Sequence, residues 1–428
     1  MARYTNIDSA FYINNRIKLQ KELKENSIVI LLSNDIMPTN ADGVMGFKQQ
    51  SDLFYLTGID QEDTFLLLSS SKDNEVKEIL FIKETNEHIA TWEGNKLNKK
   101  EAFELSGIKE IYWSHQFENV LKNMLSEVEN IYLYTNEHNR YENDIATRND
   151  RFLVWCKEKY PLHHYYRLYP ITSKFRTIKS LEEIAQIQNA CNITEKAFRR
   201  ILPFIQPGKW EFEIEAEIIH EFIINRSRTV AYPSIIASGG NACVLHYTEN
   251  NNQCRKGDLL LMDFGAEFGN YAADLTRCVP VSGKFSKRQK QIYQSVQNIL
   301  FEAQQLLTVG NNFKDYIKEV ASIVEKELVK LKLISLYDIK KQDPKQPEYK
   351  KYFMHGISHY LGLDVHDVGS RDTKFKTGMV LTCEPGIYVK SEKIGVRLEN
   401  NILIQKKGNL NLMKNIPIEV EEIEALMN

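Results

Sequence analysis

The sequence predicts two unlike domains in tandem: an α/β domain over residues 1–172 and an α+β domain over residues 173–428. Residues 1–170 alternate short, near-continuous apolar runs with helical stretches, and such runs suit strands covered on both faces, as in an α/β layer. From Ser173 the texture changes to amphipathic helices and strand-rich segments. Composition agrees with both. A chain of 428 residues with 43% hydrophobic content can bury large cores, is too apolar to be disordered, and is long enough for two or three domains.

The elements follow in order. "SIVILLS" (27–33), "TFLLLSS" (64–70), "EILFI" (78–82) and "NIYLYT" (130–135) read as buried strands, and "RFLVWCKEKY" (151–160) as a helix. Pro161 and Pro170 bracket a polar, His- and Tyr-rich segment that reads as a linker. Ser180 and Glu183 form a capping box ahead of Leu181, Ile184, Ile187 and Cys191 at helical spacing. That helix runs to about Leu202, where Pro203 and "QPG" (206–208) stop it. "EFEIEAEIIHEFIIN" (211–225) is a second amphipathic helix, and strand-like segments dominate 230–282. A further helix spans 285–307, with Ser286 as N-cap and Gly310 beyond its end.

A formal net charge of −2 gives no global field favouring nucleic acid or an anionic membrane. The Lys-rich stretch from Lys330 to Lys351 is interleaved with acids and reads as solvated surface. Six scattered cysteines without a C-x-x-C pair fit a reducing compartment. No signal-peptide pattern opens the sequence and no apolar run reaches membrane-spanning length, so the expectation is a cytoplasmic protein.

Four carboxylates sit in apolar, strand-like surroundings: Asp263 in "LLLMDFG", Asp274 in "NYAADLTRCVPV", Glu384 in "MVLTCEPGIYV" and Glu399 in "IGVRLENNILIQ". An ionised carboxylate there is expensive unless paired, hydrogen-bonded or metal-bound. A four-residue loop over 267–270 would set Asp263 directly opposite Asp274, an arrangement that destabilises a ladder unless a cation lies between. Taken singly, the acids have plain readings: Asp263 as a strand-end turn residue, Asp274 paired with Arg277, Glu399 with Arg397. "FMHGISHYLGLDVHDVG" (353–369) adds His355, His359 and His366. His355 and His359 have zinc-like i, i+4 spacing, but Gly356 and Gly362 argue against a regular helix. Four carboxylates and an imidazole suit a pair of Mn, Co, Fe or Zn ions. "DFG" has no kinase partners, and neither G-x-S-x-G nor H-E-x-x-H occurs.

"LHYTEN" (245–250), "GDLLLMDFGAEFGNYAADLTR" (257–277), "MHGISHYLGLDVHDVG" (354–369), "CEPGIYV" (383–389) and "GVRLEN" (395–400) resemble, in order and spacing, the motifs of the pita-bread (creatinase/aminopeptidase-type) metallopeptidases, and among them the aminopeptidase P branch. "SDLFYLTG" (51–58) is similar to a segment of that branch's N-terminal domain. The resemblance implies an N-terminal creatinase/aminopeptidase P-like domain and a pita-bread catalytic domain. It implies metal ligands at Asp263, Asp274, His359, Glu384 and Glu399, holding two divalent ions, with Mn(2+) expected and Co(2+) or Zn(2+) as alternatives. It implies catalytic roles for His246, His366 and Glu384, and a substrate-lining role for His355, Arg397 and Tyr388. The implied reaction is hydrolysis of the N-terminal Xaa-Pro bond of peptides by a metal-bridging hydroxide, in a homodimer or homotetramer.

Prolidase, which cleaves Xaa-Pro dipeptides, is the nearest alternative. A non-catalytic pita-bread binding protein is another, although no ligand position is lost. The sequence departs from the family in carrying Asn400 and Asn401 after Glu399, where Asp-Asp is common, and in the bulk of Phe264.

Overall fold

The computed structural model describes residues 4–70 and 76–427. The chain separates into two compact units, one spanning Asn6–Arg176, the other running from Thr177 onward and taking in Tyr4 and Thr5. Among the described residues, no helix is long and apolar enough to cross a membrane.

The first unit contains α1 (Ser9–Gln20), β1 (Ser27–Leu32), α2 (Ser51–Thr57), β2 (Phe65–Ser70), β3 (Val76–Ile82), α3 (Glu87–Glu93), α4 (Lys99–Ser106), β4 (Glu110–Trp113), α5 (Phe117–Leu125), β5 (Asn130–Leu133), α6 (Arg148–Lys159) and β6 (His164–Arg167), before α7 (Tyr169–Thr177). Its sheet runs β4-β3-β2-β1-β5-β6. Only β2 is antiparallel to its neighbours. All six residues of β1 are buried, as a central strand covered on both faces requires. Ile28, Ile30 and Leu32 meet Phe117 and Leu121 of α5 and Cys156 of α6 in the core. The segment between Pro161 and Pro170 is not a linker: it supplies β6, parallel to β5 at the sheet edge. An edge strand leaves much of its surface wet, so His164–Arg167 lacks the apolar run by which the inner strands are recognised.

The second unit opens with α8 (Leu181–Ile201), capped by the reciprocal Ser180 and Glu183 bonds, and α9 (Glu211–Ile224). Then come β7 (Ile235–Ser238), β8 (Leu259–Phe264), β9 (Glu267–Phe268), β10 (Tyr271–Ala272) and β11 (Leu275–Pro280), followed by α10 (Lys287–Leu306), α11 (Phe313–Lys330) and α12 (Leu336–Lys341). Last are β12 (Val380–Cys383), β13 (Gly386–Val389), β14 (Ile394–Arg397), β15 (Asn400–Ile404), β16 (Asn409–Asn411) and α13 (Val420–Leu426).

Two ribbons dominate this unit. In the first, Phe264 pairs with Leu275 and Phe268 with Tyr271. The connection is therefore a two-residue turn, Gly269-Asn270, with both residues at positive φ (59° and 67°), the geometry that tight hairpins favour. The four-residue loop expected from sequence is corrected by this register: Asp263 stands opposite Thr276, not Asp274. In the second ribbon, Cys383 pairs with Asn400 and Gly386 with Arg397. The two ladders share one register, which sets Glu384 across from Glu399 at the break between them. There the Leu398 N–H donates to the Pro385 carbonyl at 3.1 Å.

In the first unit, Asp52 lies in a buried ion pair, 2.8 Å from Arg176, and accepts a bond from the Thr172 hydroxyl at 3.1 Å. Removing one partner strands a buried charge, so Asp52→Ala is expected to destabilise this unit by about 3–5 kcal/mol. Urea unfolding followed by tryptophan fluorescence checks this, since three of the four tryptophans (Trp92, Trp113 and Trp155) belong to this unit. A loss below about 1 kcal/mol would mean that the pair is screened and worth no more than a surface bridge.

Candidate metal centre

The two-residue shift in register does not separate the acids. Side chains alternate faces along a strand, so moving the pairing by two residues keeps Asp263, Thr276 and Asp274 on one face of the ribbon. The Tyr232 hydroxyl lies 2.6 Å from Oδ1 of Asp263 and 2.5 Å from Oδ1 of Asp274. A phenol has one proton to donate, so it cannot satisfy both oxygens. Burial and the charges of Asp263 and Asp274 push the Tyr232 pKa well above its usual value, so the phenol stays protonated.

Glu399 sits behind this pair. Its Oε2 accepts from the Thr276 hydroxyl at 2.8 Å, while Oε1 is buried without a hydrogen-bond partner. His359 comes from the irregular segment before β12. Its Nδ1 lies 2.9 Å from the Tyr360 carbonyl, which leaves Nε2 facing the acids, 3.3 Å from Asp274 and 3.7 Å from Glu384. Asp274, His359 and Glu399, all buried, each place one ligand atom within 4.8 Å of the others.

Arg397 is 2.5 Å from Asp263, and its other nitrogens donate to Thr276 and to Tyr388. It therefore pairs with Asp263 and not with Glu399. Arg277 does not pair with Asp274 either: it donates to the Glu399 carbonyl at 2.6 Å and to the Asn400 side chain at 2.7 Å. Asn401 closes the back of the site. Its side-chain amide accepts from the Asp274 N–H at 3.1 Å and donates to the Asp274 carbonyl at 2.7 Å.

From Arg397 a polar chain runs outward. The guanidinium donates to the Tyr388 oxygen at 2.9 Å, and Tyr388 lies 2.8 Å from His355 Nε2. Burial, with the Arg397 charge added, lowers the His355 pKa to about 3. His355 is thus neutral, with Nδ1–H directed to the Gly356 carbonyl at 2.7 Å and Nε2 accepting from Tyr388. The His366 ring packs edge-on against His359 with centroids 4.4 Å apart. His366 and His246 are exposed.

Electrostatics separate these groups. Burial pushes the Glu384 carboxyl up to about 7, with His359 opposing and Asp274 adding to the shift. Burial raises Asp263 against the pull of Arg397. Glu399 is raised well above the usual range, by burial and then by Asp274 and Glu384. Burial works against the imidazolium of His359, but the bond to Asp274 and the charge of Glu384 outweigh it, so its pKa is raised. Four carboxylates face one guanidinium, one phenolic proton is split between two oxygens, and a buried carboxylate oxygen has no donor. This oxygen-rich set with one imidazole nitrogen facing it fits divalent cations.

The sequence singled out the acids and histidines but not Tyr232 or Thr276. Tyr232 lies in "VAYPSII", outside the named strands, and the approach of Val230 and Ala231 to Ala266 and Gly265 carries it to the acids. That is a long-range contact without a local pattern.

The chain is similar to known proteins over nearly its whole length. Residues 185–406 match the model of metallopeptidase family M24, and residues 12–134 match that of the aminopeptidase P N-terminal domain. A Haemophilus influenzae Xaa-Pro aminopeptidase is 35% identical over 96% of both chains. The structure of Escherichia coli aminopeptidase P in its low-pH form, 32% identical, superposes with a TM-score of 0.89 over 99% of each chain. A zinc-substituted form of the E. coli enzyme in complex with product superposes with a TM-score of 0.88.

Cation binding must displace protons from these raised acids. Titration of the chelator-stripped protein with Mn(2+) near pH 6.5 is expected to release about one proton or more, read as a dependence of calorimetric enthalpy on buffer ionisation. Affinity should fall as the pH is lowered from about 8 to 5. The stripped protein carries the opposite trend. The Glu384 pKa of about 7 in the fold exceeds its ordinary 4.5, so its contribution to stability is present at pH 4.5 and lost as pH rises through 7. Melting temperatures should therefore fall over that window without metal and recover with it. A buffer-independent enthalpy would contradict this account of the acids.

Proposed function

The chain belongs to metallopeptidase family M24, and on that premise we propose that its site hydrolyses the N-terminal Xaa-Pro bond of peptides. One observation carries the proposal: Asp274, His359 and Glu399 each place one ligand atom within 4.8 Å of the others, and Glu399 keeps a buried oxygen with no partner. Asp263, Asp274, His359, Glu384 and Glu399 would hold two divalent ions, which when bound lower the pKa of a water and polarise the substrate carbonyl. The predominance of carboxylate oxygen favours Mn(2+), with Co(2+) and Zn(2+) as alternatives.

The protein's own groups divide the remaining work. Glu384, raised towards neutrality and close to His359 and His355, accepts the proton of the attacking water. It then delivers that proton to the proline nitrogen as the C–N bond breaks. His246 and His366, exposed, flank the scissile peptide and hydrogen-bond the developing oxyanion. His355, held neutral, and Tyr388, which links it to Arg397, line the proline side. An Xaa-Pro bond has no N–H for a protease to grip, so the rings of His355 and Tyr388 supply recognition by shape instead.

Residues 173–428 carry catalysis and residues 1–172 form the N-terminal domain. The name Xaa-Pro aminopeptidase carried by relatives at 32–35% identity over nearly the full chain supports an aminopeptidase acting on longer peptides over a prolidase acting on dipeptides. The six unpaired cysteines, all buried, support a cytoplasmic location. A homodimer or homotetramer is the proposed assembly, readable by light scattering.

The test is to strip the protein with chelator, restore Mn(2+), Co(2+) or Zn(2+) singly, and assay Xaa-Pro-Yaa peptides, Xaa-Pro dipeptides and Met-Ala peptides. Hydrolysis of the first set with Mn(2+) is expected. Silence with every metal would sink the enzyme reading, and activity on dipeptides alone would select prolidase. Asp274→Ala should lower kcat by about 1,000-fold or more, the scale of losing an essential electrostatic group, while circular dichroism stays native.

A further inference from the structure

His246 belongs to no strand or helix. It sits on a turn in the 239–252 segment, and a reacting group misplaced by about 1 Å can lose about 100-fold in rate. The segment is nevertheless held, by a residue 35 positions earlier in the chain. Glu211, the first residue of α9, is wholly buried. Its Oε1 accepts from the Ser238 N–H and hydroxyl, each at 2.7 Å, and from the Asn241 amide at 3.4 Å. Its Oε2 accepts from the Tyr247 hydroxyl and the Asn252 N–H, each at 2.8 Å. The Glu211 N–H in turn donates to the Asn252 carbonyl at 2.9 Å. One carboxylate thus ties the start of the segment, its end, and the side chain next to His246.

We propose that Glu211 is a positioning residue that fixes His246 through Tyr247 and the two ends of the 239–252 segment. This rests on the oxyanion role assigned to His246 above. The carboxylate suits the task for a physical reason. Five donors converge on it, so only an acceptor with no hydrogens of its own fits there. Its place at the start of α9 adds the favourable field of the helix N-terminus. An amide would aim N–H groups at N–H groups, and the turn would have to move.

A double-mutant cycle on the full-length, Mn(2+)-loaded protein tests the assignment. Glu211→Gln is expected to lower kcat on an Xaa-Pro-Yaa peptide by about 10- to 100-fold, with KM changed by less than about 3-fold and metal content unchanged. In the His246→Ala background the same substitution should lower kcat by no more than about 3-fold, because what it positions is gone. Amide hydrogen exchange should quicken within 239–252 and not in α8 or β8. If Glu211→Gln fails to fold, Tyr247→Phe, which removes the bond nearest His246, enters the same cycle with an expected loss of about 3- to 10-fold. Equal losses with and without His246 would overturn the proposal while leaving the role of His246 intact. A fully active His246→Ala would overturn that role, and the positioning assignment with it.

Discussion

Four carboxylates confined to one buried pocket are the constraint from which the rest of this catalytic unit follows. Each would be solvated and mutually indifferent in water. Enclosed together, Asp263, Glu384 and Glu399 have their proton affinity raised by burial, with the charge of Asp274 adding to each, and one of the carboxylate oxygens is left without a donor. Such a cluster is costly to hold at neutral pH without a cation, since unpaired buried charge is among the most destabilising features a protein can hold.

The surroundings keep that unfavourable cluster in place without neutralising it. Arg277 secures the backbone of Glu399 and the side chain of Asn400, and Asn401 grips both polar groups of the Asp274 backbone. An aspartate at position 401 would lack the hydrogens that reach the Asp274 carbonyl. The departure from the family's Asp-Asp pair is thus matched to local hydrogen bonding, and it keeps two further negative charges away from the site. The supporting layer supplies orientation, and the charge is left for the metal to balance.

Much of this was legible in the sequence, and the reasons differ by element. The capping box at Ser180 and the 3.6-residue periodicity of α8, α9 and α10 are local signals, and the structure shows those helices with bounds within a residue or two of expectation. The acids stood out because carboxylates are conspicuous in apolar strands. What was not legible is non-local. The edge strand β6 reads as a linker because half of it faces solvent. Tyr232 carries no pattern that points to Asp263. The partners of Arg397 and Arg277 depend on how two ribbons cross, and adjacency in sequence suggested the wrong acids. Likewise, Glu211 reads as one more polar position on an amphipathic helix until the fold wraps a loop around it.

The tight Gly269-Asn270 turn has a consequence for how this chain can vary. Because Asp263 and Asp274 meet through face parity and not through direct opposition, the hairpin obeys an even-number rule. Lengthening or shortening its tip by two residues slides the ladder yet leaves both acids pointing inward. A single added residue, unless taken up by a longer turn or a bulge, turns one strand over and sends one acid to the far side. A change of one residue at this hairpin therefore needs a longer turn or a bulge to keep both acids inward, whereas a change in pairs needs neither.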